Sequence, residues 1–249
     1  MNSRFTNRTA MITGGGRGIG RVIARDMAAE GARLCLVDLD LGRAEEAAAE
    51  LGEGHIGLQA DVRSSGSVAD AFAGMDKAFG KLDFLVNCAG GYTDHIAFLD
   101  ITDEDYDLVM DSNLKGTFLC CQEAVRRMKD SGGGAIVNFS SLAGRATSPA
   151  LGSHYTAAKA GVLGLTRHIA REFGGHGIRA NAMAPGTTEG ERVSAILTDE
   201  DRKRQIGGIP LGRLATADDL SPVVRFLLSD EARYLTGATM DVNGGVLML

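Results

Sequence analysis

A run of glycines between an apolar stretch and an amphipathic stretch constrains this chain more than any other feature. Thr9–Thr13 is short and apolar, as in a buried strand. It leads directly into Gly14, Gly15, Gly16, Arg17, Gly18, Ile19 and Gly20. The following residues place Ile23 and Met27 on one helical face, and Gly31 predicts the end of that helix. A strand that turns at once into a helix predicts the first unit of a βαβ fold.

The same alternation of apolar strands and helical periods continues to the end of the chain. Further strands are predicted at Arg33–Val37 (ending at Asp38), Ile56–Gln59, Leu82–Val86, Ala135–Phe139, Arg179–Ala184 and Ala238–Val242, and helices at Arg43–Leu51, Val68–Phe79, Asp103–Lys129, Ser153–Phe173 and Asp218–Leu228. With no linker between them, these elements predict one α/β domain over residues 1–249, a doubly wound parallel sheet. The pattern breaks only between Gly186 and Leu214, where we expect a substrate lid at about 187–212.

Composition excludes several classes of protein. Hydrophobic residues make up 44% and charged residues 23%, which are ordinary globular values. The net charge of −6, without a basic stretch, argues against nucleic acid as a partner. Met1–Met11 lacks the apolar core of a signal peptide, and no apolar run reaches the roughly 18 residues that span a bilayer, so we expect a cytoplasmic protein without membrane contact.

Cysteine and histidine spacing gives no sign of a metal. Four cysteines lie at Cys35, Cys88, Cys120 and Cys121, and the five histidines include no HExxH pair or other ligand cluster. The cysteines are therefore interpreted as small core residues, and no metal site is predicted.

The glycine loop is expected to bind a dinucleotide. Its small residues let backbone N–H groups approach a pyrophosphate at the positive end of the following helix. The spacing is GxxxGxG and not GxGxxG, and the alternative is a glycine-rich turn that binds nothing. The loop residues assigned to the cofactor are Gly14, Gly16, Arg17, Gly18, Ile19 and Gly20.

An acidic residue at the end of the second strand favours NAD over NADP. Asp38 follows the loop by about 20 residues, where a carboxylate accepts hydrogen bonds from ribose hydroxyls and repels a 2′-phosphate. Arg17 is the opposing signal, because a basic loop residue can hold a phosphate. We expect NAD, with NADP as the less favoured cofactor.

Polar and small residues also follow the third and fourth predicted strands. Asp61 and Val62 come after one, and Asn87, Ala89 and Gly90 after the other. Because ligands of open α/β sheets bind at the carboxyl ends of strands, these five residues are further candidates for cofactor contacts. Asp61 as a helix N-cap and Asn87 as a turn residue remain the alternatives.

A phenol and an ammonium stand four residues apart at the start of a predicted helix. Tyr155 and Lys159 would share one face of that helix. A nearby ammonium stabilises a phenolate and lowers a tyrosine pKa from about 10 toward working pH, which suits general acid/base catalysis. Ser140 and Ser141 close the fifth strand at the same sheet edge, where a hydroxyl can donate to a carbonyl oxygen.

Asn113 is unusual for its position. It falls within the predicted helix Asp103–Lys129, where an amide side chain is a poor helix former and competes for backbone hydrogen bonds. Such local conflicts are typical of functional sites, and a surface asparagine of no consequence is the alternative.

Taken in order, these motifs resemble the short-chain dehydrogenase/reductase family in its roughly 250-residue form. The resemblance implies a Rossmann-like sheet of about seven strands, commonly in a homotetramer. It also implies a catalytic set of Asn113, Ser141, Tyr155 and Lys159. Because the Ser141-to-Tyr155 spacing is one residue longer than is common, Ser140 stays open as the less favoured serine. Here Tyr155 is the acid/base, Ser141 the donor to substrate oxygen, Lys159 the ribose ligand and Asn113 the support of a relay water.

Two later segments extend the resemblance. Asn181–Gly186 is similar to the family's nicotinamide-side turn, so Pro185, Gly186 and Thr188 join the cofactor residues. Thr187–Gly190 departs from the usual pattern there. Asp241–Gly245 resembles the family's C-terminal glycine element with Asn243 inserted.

The leading hypothesis is an NAD(H)-dependent oxidoreductase that moves hydride between nicotinamide and a secondary alcohol or ketone. The rivals are an NADPH-dependent 3-oxoacyl-acyl-carrier-protein reductase and a dinucleotide sensor without catalysis. The substrate is expected between Tyr155 and the lid, bordered by residues 91–96 and 148–154. Tyr92, His95 and His154 are candidate lining residues there, with ordinary loop roles as the alternative.

Overall fold

The predicted alternation of strands and helices is present in the computed structural model, which describes residues 3–92, 95–148 and 150–249. The strands are β1 (Thr9–Thr13), β2 (Arg33–Asp38), β3 (Ile56–Gln59), β4 (Phe84–Asn87), β5 (Gly134–Phe139), β6 (Ile178–Pro185) and β7 (Thr239–Val242). The helices are α1 (Gly18–Ala29), α2 (Leu41–Glu50), α3 (Ser65–Phe79), α4 (Asp103–Met110), α5 (Gly116–Met128), α6 (Leu142–Arg145), α7 (Ser153–Phe173), α8 (Glu191–Ile196), α9 (Asp199–Gly207) and α10 (Ala217–Leu228).

All six strand pairings are parallel, and the strand order is β3-β2-β1-β4-β5-β6-β7. The chain winds outward from β1 in one direction and then returns to start again at β4. The predicted Rossmann-like sheet of seven strands is confirmed. Its crevice lies where β1 and β4 end side by side, since the direction of winding reverses there.

The core has two layers because side chains alternate between the faces of a strand. Along β1, Ala10 and Ile12 pack with Ile23 and Met27 of α1 on one face. Met11, between them, packs on the other face with residues of α3 and α5. Both faces are therefore covered by helices, and only the strand ends remain open to a ligand.

Several predicted helix and strand boundaries were wrong by a few residues. For the helices, the residue that caps the N-terminus explains the difference. Helix α2 begins at Leu41 and not at 43, because the Asp40 side chain accepts from the backbone N–H of Arg43. Helix α3 begins at Ser65 and not at 68, because Ser64 is its N-cap. The N-cap role considered for Asp61 therefore belongs to Ser64. Strand β4 lies at 84–87 and not at 82–86.

The long helix predicted over Asp103–Lys129 is not uniform. A π-helical turn at Asp111–Lys115 separates α4 from α5 and contains Asn113. Such single π turns are frequent at functional sites. The four-residue helix α6 was not predicted at all, since it is too short to show a period.

Two classes of site have no support among the described residues. No described helix is both long and apolar enough to cross a bilayer. Within the same residues, no three His, Cys, Asp or Glu side chains cluster to hold a metal ion. Cys35, Cys120 and Cys121 are buried and Cys88 is half-buried. Burial raises the pKa of Cys35 and of Cys121 to about 12, so both are neutral core thiols.

Candidate active site

The glycine loop lies at the crevice between β1 and β4. Gly14 has φ 66° and Gly18 has φ 55°, a left-handed conformation that glycine adopts without strain. A Cβ on Gly14 would lie 3.1 Å from the backbone of Ala89, which follows β4. A Cβ on Gly20 would collide with the carbonyl oxygen of Gly14. The loop thus needs glycine to pass this close to its neighbours.

The start of α1 fits a pyrophosphate. Its N-cap, Arg17, makes no side-chain capping bond, so the first N–H groups of this 12-residue helix have no side-chain acceptor from the cap. A Cβ on Gly18 would meet no atom within 4 Å, so space is open before the helix. Uncapped amides, a positive helix end and open space are what a phosphate requires. The Arg17 guanidinium lies 3.8 Å from the Glu191 carboxylate on α8.

Asp38 lies beside the loop at the end of β2. Its Oδ2 accepts from the backbone N–H of Gly16 at 3.2 Å and its Oδ1 from that of Asp40 at 3.3 Å. A Cβ on Gly16 would lie 2.9 Å from the same Oδ2. The carboxylate is therefore held against the loop, where a bound adenosine ribose would meet it.

Asp61 and Val62 follow β3, as predicted, but the Asp61 carboxylate is already paired. The Arg63 Nε and Nη2 donate to its two oxygens at 2.9 and 2.7 Å. These hydrogen bonds lower the pKa of Asp61. Val62 packs against the start of α5, where a Cβ on Gly116 would lie 2.7 Å from its Cγ2. Asp61 and Val62 can therefore contact a ligand through their backbone atoms.

Asn87 is a buried link between strands and not a loop turn. Its Nδ2 donates to Oδ1 of Asn138 on β5 at 2.8 Å. The Asn138 Nδ2 donates in turn to Oγ1 of Thr166 on α7 at 3.0 Å. This chain of bonds connects β4, β5 and α7. Sequence reasoning missed Asn138 and Thr166, although an amide inside the apolar run of β5 was a signal, since buried amides need partners.

Tyr155 and Lys159 occupy the first turns of α7, and both are buried. The Lys159 Nζ donates to the carbonyl oxygen of Phe139 at 2.9 Å and lies 5.7 Å from the centroid of the Tyr155 ring. Burial lowers the pKa of Lys159 to about 8, which leaves the ammonium protonated at neutral pH. The predicted sharing of one helical face is confirmed. A cation at this place favours a negative charge on the phenol.

Asn113 points from the π turn toward the same place. Its Nδ2 donates to the carbonyl oxygens of Gly91 at 2.6 Å and Val109 at 2.9 Å. Its Oδ1 is buried and has no hydrogen-bond partner in the described part of the chain. A Cβ on Gly90 would lie 2.6 Å from that oxygen and 3.5 Å from the Lys159 Nζ. Gly90, Asn113 and Lys159 therefore meet at one point, with an acceptor still to be satisfied.

The two serines after β5 have different surroundings. Ser140 is buried, and its hydroxyl donates to the carbonyl oxygen of Lys159 at 2.7 Å. The Ser141 hydroxyl oxygen accepts from the N–H of Ala143 at 3.1 Å and caps α6. The Ser140 proton is thus used inside the protein, whereas accepting from Ala143 leaves the Ser141 proton to donate.

The candidate pocket residues divide into three cases. Tyr92 stacks edge-on against Tyr155, with ring centroids 5.7 Å apart. His95 lines a cavity of about 250 Å³ together with Phe98, Leu151 and Thr156. His154 is only 3% exposed and does not line that cavity. Thr93, Asp94 and Pro149, which belong to the predicted borders, lie outside the described residues.

The expected lid begins at the end of β6. Pro185 is the last residue of that strand, and the N–H of Gly186 donates to the carbonyl oxygen of Val242 at 2.9 Å. The Thr188 hydroxyl donates to the carbonyl oxygen of Gly186 at 3.1 Å. Helices α8 and α9 follow within 187–212. None of the lid side chains that the structure describes lines the 250 Å³ cavity.

A parallel sheet in this strand order, with a glycine loop at its switch point, defines a Rossmann-type dinucleotide-binding fold. A family model described as enoyl-(acyl carrier protein) reductase matches residues 14–247. The chain belongs to the short-chain dehydrogenase/reductase family of oxidoreductases.

Three proteins illustrate the similarity. The 2-(S)-hydroxypropyl-CoM dehydrogenase 3 of Xanthobacter autotrophicus is 38% identical over 99% of both chains. A 3-oxoacyl-acyl-carrier-protein reductase of Staphylococcus aureus is 38% identical over 97% of this chain and 98% of its own. The crystal structure of a putative short-chain alcohol dehydrogenase from Sinorhizobium meliloti superposes with a TM-score of 0.93, at 35% identity, over 99% of this chain and 98% of that one.

Proposed function

We propose that this protein is an NAD(H)-dependent oxidoreductase that interconverts a secondary alcohol and a ketone, with Tyr155 as the general acid/base. The observation that carries the proposal is the buried pair of Tyr155 and Lys159, 5.7 Å from ring centroid to ammonium, at the carboxyl edge of the sheet. Bound nicotinamide would supply or accept the hydride. Residues 1–249 would form one such domain, with 187–212 as its substrate lid.

In this proposal the chain's own residues handle the proton. During reduction the Tyr155 hydroxyl donates its proton to the ketone oxygen as hydride reaches the carbon, and during oxidation the phenolate takes the proton back. The Lys159 ammonium would stabilise that phenolate and bind the ribose. Ser141 donates a hydrogen bond to the substrate oxygen as charge develops. The buried Oδ1 of Asn113, which has no hydrogen-bond partner among the described residues, suits a bound water that relays protons.

The cofactor contacts follow the placement of the loop. Gly14, Gly16, Gly18, Ile19 and Gly20 would hold the pyrophosphate with Arg17, and Asp38 the ribose hydroxyls. Residues near the nicotinamide and adenine would be Asp61, Val62, Asn87, Ala89, Gly90, Pro185, Gly186 and Thr188. Because the Asp38 carboxylate is fixed against Gly16, it would repel a 2′-phosphate, which supports NAD over NADP.

A second candidate is an NADPH-dependent 3-oxoacyl-acyl-carrier-protein reductase. The similarity to the Staphylococcus aureus reductase and the basic Arg17 in the loop favour it. A dinucleotide sensor without catalysis is the rival from another class, and the intact Tyr155–Lys159 pair argues against it.

The functional test begins with fluorescence titrations of NADH and NADPH. The chain contains no Trp that would overlap the reduced nicotinamide signal. Tighter NADH binding supports the proposal, tighter NADPH binding favours the reductase, and binding of neither contradicts both. In a screen of secondary alcohols with NAD, Tyr155→Phe should lower kcat by about 10³-fold and leave NADH affinity within twofold.

The matched control is Tyr234→Phe, which alters a tyrosine that is 98% exposed. It should leave both kcat and NADH affinity unchanged. Unchanged turnover in the Tyr155→Phe variant would remove Tyr155 from the proposal.

Assembly as a homotetramer is part of the same proposal. Large apolar side chains are exposed on α4 and α5 (Tyr106, Leu108 and Phe118), after α9 (Leu211) and near the C-terminus (Met248 and Leu249). Apolar side chains that cluster on a surface favour burial against another subunit. Light scattering after gel filtration measures the mass directly, and a monomer would contradict this part.

A further inference from the structure

An ion pair connects the turn after β5 with the last strand. The Arg145 Nε donates to Oδ1 of Asp241 and the Nη2 to Oδ2, both at 2.9 Å, across 96 residues of sequence. The side chains are only 22% and 20% exposed. Two parallel hydrogen bonds between a guanidinium and a carboxylate fix orientation as well as distance. Partial burial makes such a pair worth more than one on the surface.

Arg145 is the last residue of α6, and Ser141 is the N-cap residue directly before the helix. Helix α6 has only four residues, too few to be stable without tertiary contacts. Its middle lies on the backbone of α7, because a Cβ on Gly144 would lie 2.6 Å from the carbonyl carbon of Lys159. The helix thus has the Ser141 cap at one end, Lys159 beneath it and the ion pair at the other end.

Asp241 lies on β7, the strand that is hydrogen-bonded to the turn after β6. It lies opposite Ala184 in the parallel register of β6 and β7, and Val242 lies opposite Pro185. The carbonyl oxygen of Val242 accepts from the N–H of Gly186 at 2.9 Å. The ion pair therefore joins the Ser141 turn to the segment that carries Pro185 and Gly186.

We propose that Arg145 and Asp241 are positioning residues that set the Ser141 hydroxyl relative to the Pro185–Gly186 turn. This inference rests on the proposed function, in which Ser141 contacts the substrate oxygen and the turn lies beside the nicotinamide. Neither side chain of the ion pair needs to touch a reacting group. Arg145 and Asp241 act by fixing the distance between the Ser141 hydroxyl and the Pro185–Gly186 turn. A displacement of about 1 Å at a reacting centre costs on the order of 10²-fold in rate.

The test uses two conservative variants. Asp241→Asn keeps the shape of the side chain and removes its negative charge. Arg145→Lys keeps the positive charge and removes the guanidinium that makes two parallel hydrogen bonds. Each should lower kcat and kcat/KM by at least about tenfold, since an interaction made in the transition state is weakened. The dissociation constant for NADH, measured by fluorescence, should stay within twofold. Asp241→Glu, which retains the charge, should recover part of the loss.

The matched control is Asp76→Asn, which breaks a similar two-oxygen contact with Arg127 between α3 and α5. It should lower Tm to a similar extent with kcat unchanged. A purely structural role for Asp241 would give the same result as this control, with kcat of the folded variants within twofold of wild type. That result would overturn the inference.

Hydrogen exchange provides a second readout that needs no substrate. The amides of residues 143–146 should exchange at least about tenfold faster in Asp241→Asn, because α6 has lost its anchor. Amides of α10 should be unchanged. Unchanged exchange over 143–146 would contradict the anchoring. If the wild-type protein turns over nothing, the proposed function fails, and the exchange result still decides whether the pair anchors α6.

Discussion

The Lys159 ammonium lies 5.7 Å from the centroid of the Tyr155 ring and is buried with it. One hydrogen bond, to the carbonyl oxygen of Phe139, partly offsets the loss of water around the charge. Burial nevertheless lowers the pKa of Lys159 to about 8. A charge kept in so unfavourable a place, beside a phenol, is typical of a catalytic site.

This burial predicts a pH dependence of stability. Between pH 8 and the ordinary lysine value of 10.5, the unfolded chain keeps a proton that the folded chain has lost. Where the unfolded state binds more protons, the free energy of unfolding rises with pH. Wild type should therefore gain stability relative to Lys159→Met as pH rises from 8 to 10.5, in chemical unfolding curves.

The control for this comparison is Lys77→Met, which alters an exposed lysine on α3. Its unfolding free energy should follow that of wild type at every pH. Parallel curves for wild type and Lys159→Met would show that the ammonium is not destabilised by its surroundings.

A methyl group on Gly90 should disturb the site locally. In Gly90→Ala the new Cβ would lie 2.6 Å from Oδ1 of Asn113 and 3.5 Å from Nζ of Lys159. The Asn113 amide must move, so we expect kcat to fall by about 10- to 100-fold with Tm lowered by only a few degrees. Steady-state kinetics and thermal unfolding measure the two effects.

Gly164→Ala serves as the comparison, since its Cβ on α7 would meet no atom within 4 Å. Alanine in a helix is favoured over glycine by about 1 kcal/mol, so this variant should have a slightly higher Tm and normal turnover. If Gly90→Ala also had normal turnover, the position of the Asn113 amide would not matter for the reaction.

Removing the Asp38 carboxylate should relax cofactor choice. Under the proposed function, Asp38→Ala would lose the acceptor for ribose hydroxyls and the charge that opposes a 2′-phosphate. The ratio of the NADPH to the NADH dissociation constant should fall by about tenfold or more, which corresponds to roughly 1.4 kcal/mol. Asp40→Asn, an exposed neighbour that keeps a capping side chain for α2, should not change the ratio. An unchanged ratio in Asp38→Ala would assign cofactor choice to another group, with Arg17 the first candidate.

Asp83 should stabilise the end of the sheet where β4 begins, which lies opposite the glycine loop. Its side chain is 3% exposed and accepts hydrogen bonds from Lys81, the Thr9 backbone and Arg8. Burial opposes the charge, but these bonds outweigh it and lower the pKa of Asp83. Breaking such a buried pair costs about 3 kcal/mol, so Asp83→Asn should lower Tm by roughly 5–10 °C.

The pH dependence of the Asp83 contribution has a definite sign. A depressed carboxyl pKa stabilises the fold above the unfolded value of about 4, and this contribution is lost as pH falls through the folded value. The stability difference between wild type and Asp83→Asn should therefore be constant from pH 5 to 7 and shrink below pH 4. Asp70→Asn, on the exposed side of α3, should match wild type throughout. A difference that persists at pH 2 would contradict the ionic origin.

Sequence alone determined the features that depend on short stretches of chain. Short apolar runs predicted all seven strands. Period-3.6 patterns predicted most helices, and Ser153–Phe173 agrees at both ends, but the single helix predicted over Asp103–Lys129 is divided by the π turn. The glycine loop, Asp38 and the Tyr155–Lys159 pair were found because their chemistry depends on local spacing. The unfavourable position of Asn113 in a predicted helix indicated a functional residue, but the π turn around it was not predicted.

Tertiary structure decided the relationships between residues far apart in the chain. The Ser140 hydroxyl donates to the carbonyl oxygen of Lys159, whereas the Ser141 hydroxyl caps α6. The Asn87–Asn138–Thr166 bonds and the Arg145–Asp241 pair join separate elements. Local propensity acts over a few residues, whereas these contacts depend on how strands and helices pack together. The sequence therefore predicts which elements form, and packing determines their exact ends and which side chains meet.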